Sequence, residues 1–183
     1  MRLKQIHVPR ISRKIALDIT SSNLLEIKTK MDDITKTAQR ILEENVRKEL
    51  EIDEKARNLL EENMEEIEFM RMNEKQLFWM IKRQIAEKEE FLLSWEDRYN
   101  EISHKILNEI NLQGFIQFHV SENLIKNIIF KSIDTYAKIY EEIEEDVIEK
   151  IKKYKRKLLP GTDEYELVFE KLYEEELKRK GFL

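Results

Sequence analysis

Residues 121–158 read SENLIKNIIFKSIDTYAKIYEEIEEDVIEKIKKYKRKL. Ile125, Ile129, Tyr136, Tyr140, Ile143, Val147, Ile151, Tyr154 and Leu158 recur there at spacings of three, four and seven. That is the stripe a 3.6-residue period lays along one side of a helix. No Gly or Pro interrupts the stretch, and Pro160-Gly161 stand just beyond it. The spacing predicts one long helix, or two nearly collinear ones, from Ser121 to Leu158. At 1.5 Å per residue such a helix extends about 57 Å. A small domain cannot cover that length, so part of the stripe must meet either the rest of the chain or a second chain. Tyr136, Tyr140, Ile143, Val147 and Ile151 are the residues expected at that contact.

The rest of the chain has the same character. Three glycines and two prolines in 183 residues leave little to break a helix, and Glu, Lys, Leu and Ile predominate. Phosphate loops and tight turns of an α/β enzyme would need more glycine. A 39% share of charged residues against 41% hydrophobic points to long solvated helix faces. The net charge of −5 excludes a molecule drawn bodily onto nucleic acid or anionic lipid. With no cysteine there are no disulfides, thiolate zinc sites or cysteine nucleophiles. No apolar run is long enough for a signal peptide's core or a membrane span, so the expected place is the cytoplasm.

Shifted by 91 positions, the sequence matches itself without a gap. Ile11, Ser12, Lys14, Ile15 and Ile19 fall on Ile102, Ser103, Lys105, Ile106 and Ile110; Ile34 falls on Ile125, Phe78 on Phe169, and Phe91-Leu92 on Phe182-Leu183. The reading is two divergent copies of one helical unit, residues 1–92 and 93–183, in an all-α, elongated arrangement. In the first copy, a helix starting near Pro9 ends at Ser21-Ser22-Asn23, and Leu24 to Lys28 is an extended connector. A second helix runs from Met31 to Leu50, and Asp53 caps a third that buries Ala56, Leu59, Leu60 and Ile67. Asn73 with Gln76 caps a fourth. The second copy opens at Ser94, with Gly114 as a left-handed C-cap, Phe115 to Val120 as connector, and a last helix capped by Asp163 and Glu166 and closed by Gly181.

The first copy opens Met1-Arg2-Leu3, carries Leu77-Phe78-Trp79-Met80-Ile81-Lys82-Arg83-Gln84-Ile85-Ala86-Glu87, and closes Phe91-Leu92-Leu93. In these stretches it resembles the bacterial family called domain of unknown function 507. The second copy keeps only Phe169, Leu172 and Phe182-Leu183 of the pattern. The resemblance implies a helical, bacterial, cytoplasmic protein. It implies no chemistry, and no site residue carries over from it.

Glu101 and His104 form the Glu-x-x-His pair of di-metal bundles, which need two such pairs and further Glu ligands; a single pair reads as solvated surface. His7, His104 and His119 lie in no nucleophile setting. No catalytic, cofactor or metal residue is assigned. Two features suit partner contact instead. Trp79, Lys82 and Arg83 share one helix face, as an interface anchor or as a Trp packed on a neighbouring helix. Lys152, Lys153, Lys155 and Arg156, with Tyr154 among them, suit phosphate contact or are a helix end that complements its macrodipole. The sequence therefore reads as a non-enzymatic helical interaction or scaffold protein, self-associating or holding a protein partner. The alternative is a nucleic-acid-associated protein using the basic segments. No membrane, cofactor or small-molecule substrate is implied.

Overall fold

The computed structural model describes residues 3–63, 73–154 and 156–182. The fold is all-α. After a 3₁₀ turn at Gln5–His7 come α1 (Val8–Ser21), β1 (Leu25–Ile27), α2 (Met31–Glu62), α3 (Glu74–Lys88), α4 (Trp95–Leu112), β2 (Ile116–Phe118), α5 (Glu122–Lys152) and α6 (Asp163–Arg179). Contacts group Arg2–Ser132 into one compact unit and Ile133–Leu183 into another, the line falling within α5.

Two helix boundaries differ from the periodicity reading. The chain does not break at Asp53: α2 is one helix from Met31 to Glu62. Nothing at 51–53 is a helix breaker, and the Asp53 carboxylate reaches Lys82 at 2.7 Å instead of capping a new start. In the opposite direction, α5 stops at Lys152, six residues short of Leu158. Its buried stripe ends at Ile151, while Tyr154 is 46% exposed. Without apolar burial to hold it, the last turn tightens to i→i+3 bonds from Lys153 to Lys150 and from Tyr154 to Ile151. Leu59, expected inside, is 42% exposed. Ile67 and Lys155 lie outside the described residues. The segment before α4 is not helical, since Glu90 takes φ 53°.

In the unit Arg2–Ser132, α1 packs on α2, and α2 packs on both α3 and α4. Ile11, Ile15 and Ile19 of α1, Ile34, Ala38 and Leu42 of α2, and Ile102, Ile106 and Ile110 of α4 form its fully buried centre. The two connectors pair with each other as an antiparallel ladder: Leu25 opposite Phe118, Glu26 opposite Gln117, Ile27 opposite Ile116. Each long helix also reaches across: Ser132 donates to Asp18 at 2.7 Å, and Arg40 lies 3.2 Å from Glu109. In the unit Ile133–Leu183, Tyr136 and Tyr140 pack edge-on against Phe182, at 5.5 and 5.4 Å between ring centroids. Tyr140, Ile143, Val147, Tyr173 and Leu177 are buried beside them, and Lys150 pairs with Glu176.

Several element boundaries keep one spacing. Ser21 and Leu112, Met31 and Glu122, and Lys88 and Arg179 are each 91 residues apart, as are β1 and β2. So are the left-handed residues that end the helices: Asn23 and Gly114, Glu90 and Gly181. Phe91 donates its N–H to Ala86 at 2.8 Å and Phe182 donates to Leu177 at 2.7 Å, the same 6→1 closure in both places.

His7 is fully buried, and its Nδ1 accepts the backbone N–H of Lys4 at 3.1 Å. Burial, with the Lys4 charge second, pushes the imidazole down from its usual 6.5 to about 3. Between those values the unfolded chain binds a proton that the folded one refuses, so stability falls as pH drops below about 6.5. Acidification from pH 7 to 5 is expected to cost about 2 kcal/mol through this residue. His7→Asn, whose carbonyl oxygen can replace the Nδ1 acceptor, should remove that part of the slope in denaturant titrations at the two pH values. An equal slope in the variant would reject the assignment.

Candidate functional site

The densest polar constellation is internal, where α2, α3 and α4 meet. Glu49, Asp53, Lys82 and Arg98 are all less than 7% exposed. Lys82 Nζ lies 2.7 Å from Asp53 and 3.2 Å from Glu49, and Arg98 donates from Nη1 to Glu49 at 2.6 Å. Arg98 Nε donates to Asn45 at 2.6 Å, and its guanidinium stands 4.9 Å from the Phe91 ring. Each element supplies its member from an inward position. Glu49 and Asp53 are one turn apart on the line that includes Val46 and Ala56, and Lys82 precedes Ala86 by one turn. Two carboxylates face two cations, so the charge is balanced within the cluster. What it does is hold three helices in register. Just outside it, Glu89 at the end of α3 meets Lys48 at 2.6 Å and Lys55 at 2.5 Å. Hydrogen bonds from those two lysines hold its carboxyl below the usual range.

The face read around Trp79 divides in two. Trp79 and Met80 are 51% and 49% exposed, whereas Lys82 is 3% exposed and belongs to the internal cluster. Arg83 is exposed. The indole is not loose: Phe78 meets it edge-on at 6.0 Å, and Lys82 Nζ stands 5.1 Å from its ring centroid. Trp79, Met80 and Arg83, with Asn73, Lys75 and Gln76, line one shallow surface depression.

The basic run is spread over a helix end and a loop. Lys152 reaches Glu149 at 2.7 Å, Arg156 reaches Glu164 at 2.8 Å, and Lys150 pairs with Glu176. Lys153 is exposed; Lys155 lies outside the described residues. Glu101 is 2.7 Å from Lys105, one turn along its own helix. Among the described residues no three His, Cys, Asp or Glu side chains are grouped to hold a metal ion, and no helix is long and apolar enough to cross a membrane.

Sequence reasoning missed the internal cluster. The available signal was polar residues at inward positions, Glu49 and Asp53 on the α2 stripe and Lys82 on that of α3. Their counterparts 91 residues on are Tyr140, Glu144 and Tyr173.

The chain matches no curated protein. A family model does match, and over residues 1–182, so the likeness extends well past the stretches that carry it in the sequence. The matched family is described as a protein of unknown function, DUF507, and the chain belongs to it.

Proposed function

We propose that this is a non-enzymatic interaction protein, built from two copies of one helical unit whose connectors pair with each other, and that it presents helix faces to partners. The element boundaries and left-handed helix stops that recur at a spacing of 91 residues support the duplication. So does the ladder between β1 and β2. Its central pair, Glu26 and Gln117, are counterparts, and the flanking pairs exchange places across it. That reciprocity is the mark of a two-fold, isologous interface. Asp18 and Glu109, also counterparts, each receive a contact from the long helix of the opposite copy.

The observation that carries the interaction reading is the exposed Trp79–Met80–Arg83 face, where a fixed indole is flanked by a cation. Large exposed aromatics with arginine are the usual anchors of interfaces. The test is capture from host lysate on immobilised full-length chain, with and without nuclease. Trp79→Ala with Arg83→Ala is expected to weaken a nuclease-resistant capture by about thirtyfold, the effect of losing one anchor. Undiminished capture by the variant would refute the face, and capture abolished by nuclease would favour phosphate contact instead. Against that second reading, Lys150, Lys152 and Arg156 each already have a carboxylate partner, which weakens their pull on phosphates.

A further inference from the structure

We propose that the face around Trp79 docks on α6 of a second copy of this chain, an inference that rests on the interaction reading above. Lys75, Trp79 and Arg83 follow one another at i, i+4 and i+8 on the exposed side of α3. Their counterparts on α6 are Glu166, Glu170 and Glu174, also exposed. The same face of the repeated helix is therefore cationic and aromatic in one copy and acidic in the other. Among the described residues Lys75 and Arg83 pair with no carboxylate, and Glu166 and Glu170 with no cation; Glu174 is held by Lys178 at 2.7 Å. Leu167, 68% exposed, lies one turn from Glu170 and offers an indole apolar ground. Laid antiparallel with Trp79 opposite Glu170, the two stripes bring Lys75 to Glu174 and Arg83 to Glu166.

Complementary charge on equivalent faces is what a symmetric contact between single units becomes when its two copies diverge within one chain. A contact of α3 on α6 is heterologous. It closes only as a reciprocal dimer or a ring and otherwise continues as a chain of molecules.

Sedimentation of the full chain at about 50 mM and about 500 mM salt, either side of the range where surface charges are screened, tests this. Wild type is expected to sediment above its 22.3 kDa monomer mass at low salt and to dissociate at high salt. Lys75→Glu with Arg83→Glu should weaken association about a hundredfold, two attractions becoming two repulsions. Glu166→Lys with Glu170→Lys should do the same. An equimolar mixture of the two variants should associate again, because each then carries the face the other lacks. Both variants change only exposed positions, and unchanged helical signal and melting would show that they fold. A wild type that stays monomeric, or association indifferent to either reversal, overturns the proposal. A monomer that still captures another protein through Trp79 would sink self-docking while leaving the interaction reading intact.

Discussion

Lys82→Met is expected to lower the free energy of unfolding by about 3–5 kcal/mol, the usual result of removing one partner from a buried ion pair. Lys82 is 3% exposed, and its ammonium is shared between Asp53 and Glu49. Methionine fills nearly the same volume, so little cavity is left. The loss comes from two carboxylates that remain inside with Arg98 as their one cation in the cluster. Lys138→Met gives the contrast. Lys138 is 64% exposed and pairs with Asp134 at 2.7 Å on the same helix, and such a pair contributes about 0.5 kcal/mol. Denaturant midpoints for the two variants should therefore differ severalfold in their displacement from wild type. Equal, small displacements would mean that water reaches the cluster and that it does not lock α2, α3 and α4 together. The residues 91 positions on from Glu49 and Lys82, Tyr140 and Tyr173, are buried as well.

What the sequence made legible was whatever depends on local pattern. The connectors at Leu24 to Lys28 and Phe115 to Val120 were visible because short apolar runs stand between helix stops, and Gly114 and Gly181 because only a left-handed residue ends those helices so. The pairing of the connectors with each other was not visible, since ladder partners so far apart in the chain leave no local mark. The Asp53 boundary failed for a related reason. Asp is a frequent N-cap, and only the tertiary neighbour Lys82 turns it into a mid-helix residue. Trp79 and Lys82 were read as one face because they are three apart. On the helix they straddle the edge between solvent and core, and the carboxylates waiting inside decide on which side Lys82 falls. At the basic run the sequence could not count the acids that would come to it. Glu164 and Glu176 belong to α6, beyond the Pro160-Gly161 turn.

Val147→Glu is expected to cost about 3–5 kcal/mol, comparable to the loss of Lys82 but by the opposite route, adding a charge where there was none. Val147 is fully buried, with Ile143 and Ile151 one turn away on either side. Read from the sequence, this stripe needed another surface to cover it. Its zero exposure within a single chain means that the surface is already supplied, in a unit that also buries Tyr140, Tyr173 and Leu177. The substitution should therefore act on stability rather than on association. Val147→Ala, which removes two methyl groups and adds no charge, should cost about 2 kcal/mol. The excess of the Glu variant over the Ala variant measures desolvation of the carboxylate and should shrink in acid, where the group enters protonated. Hydrogen exchange should lose protection first in the unit from Ile133 onward, which contains Val147. Reversing the charges of α3 or α6 should have the converse signature, unchanged exchange with altered sedimentation. If Val147→Glu melted like wild type and sedimented as a smaller species, the stripe would be a contact between chains, and the exposed faces of α3 and α6 would lose their claim to that role.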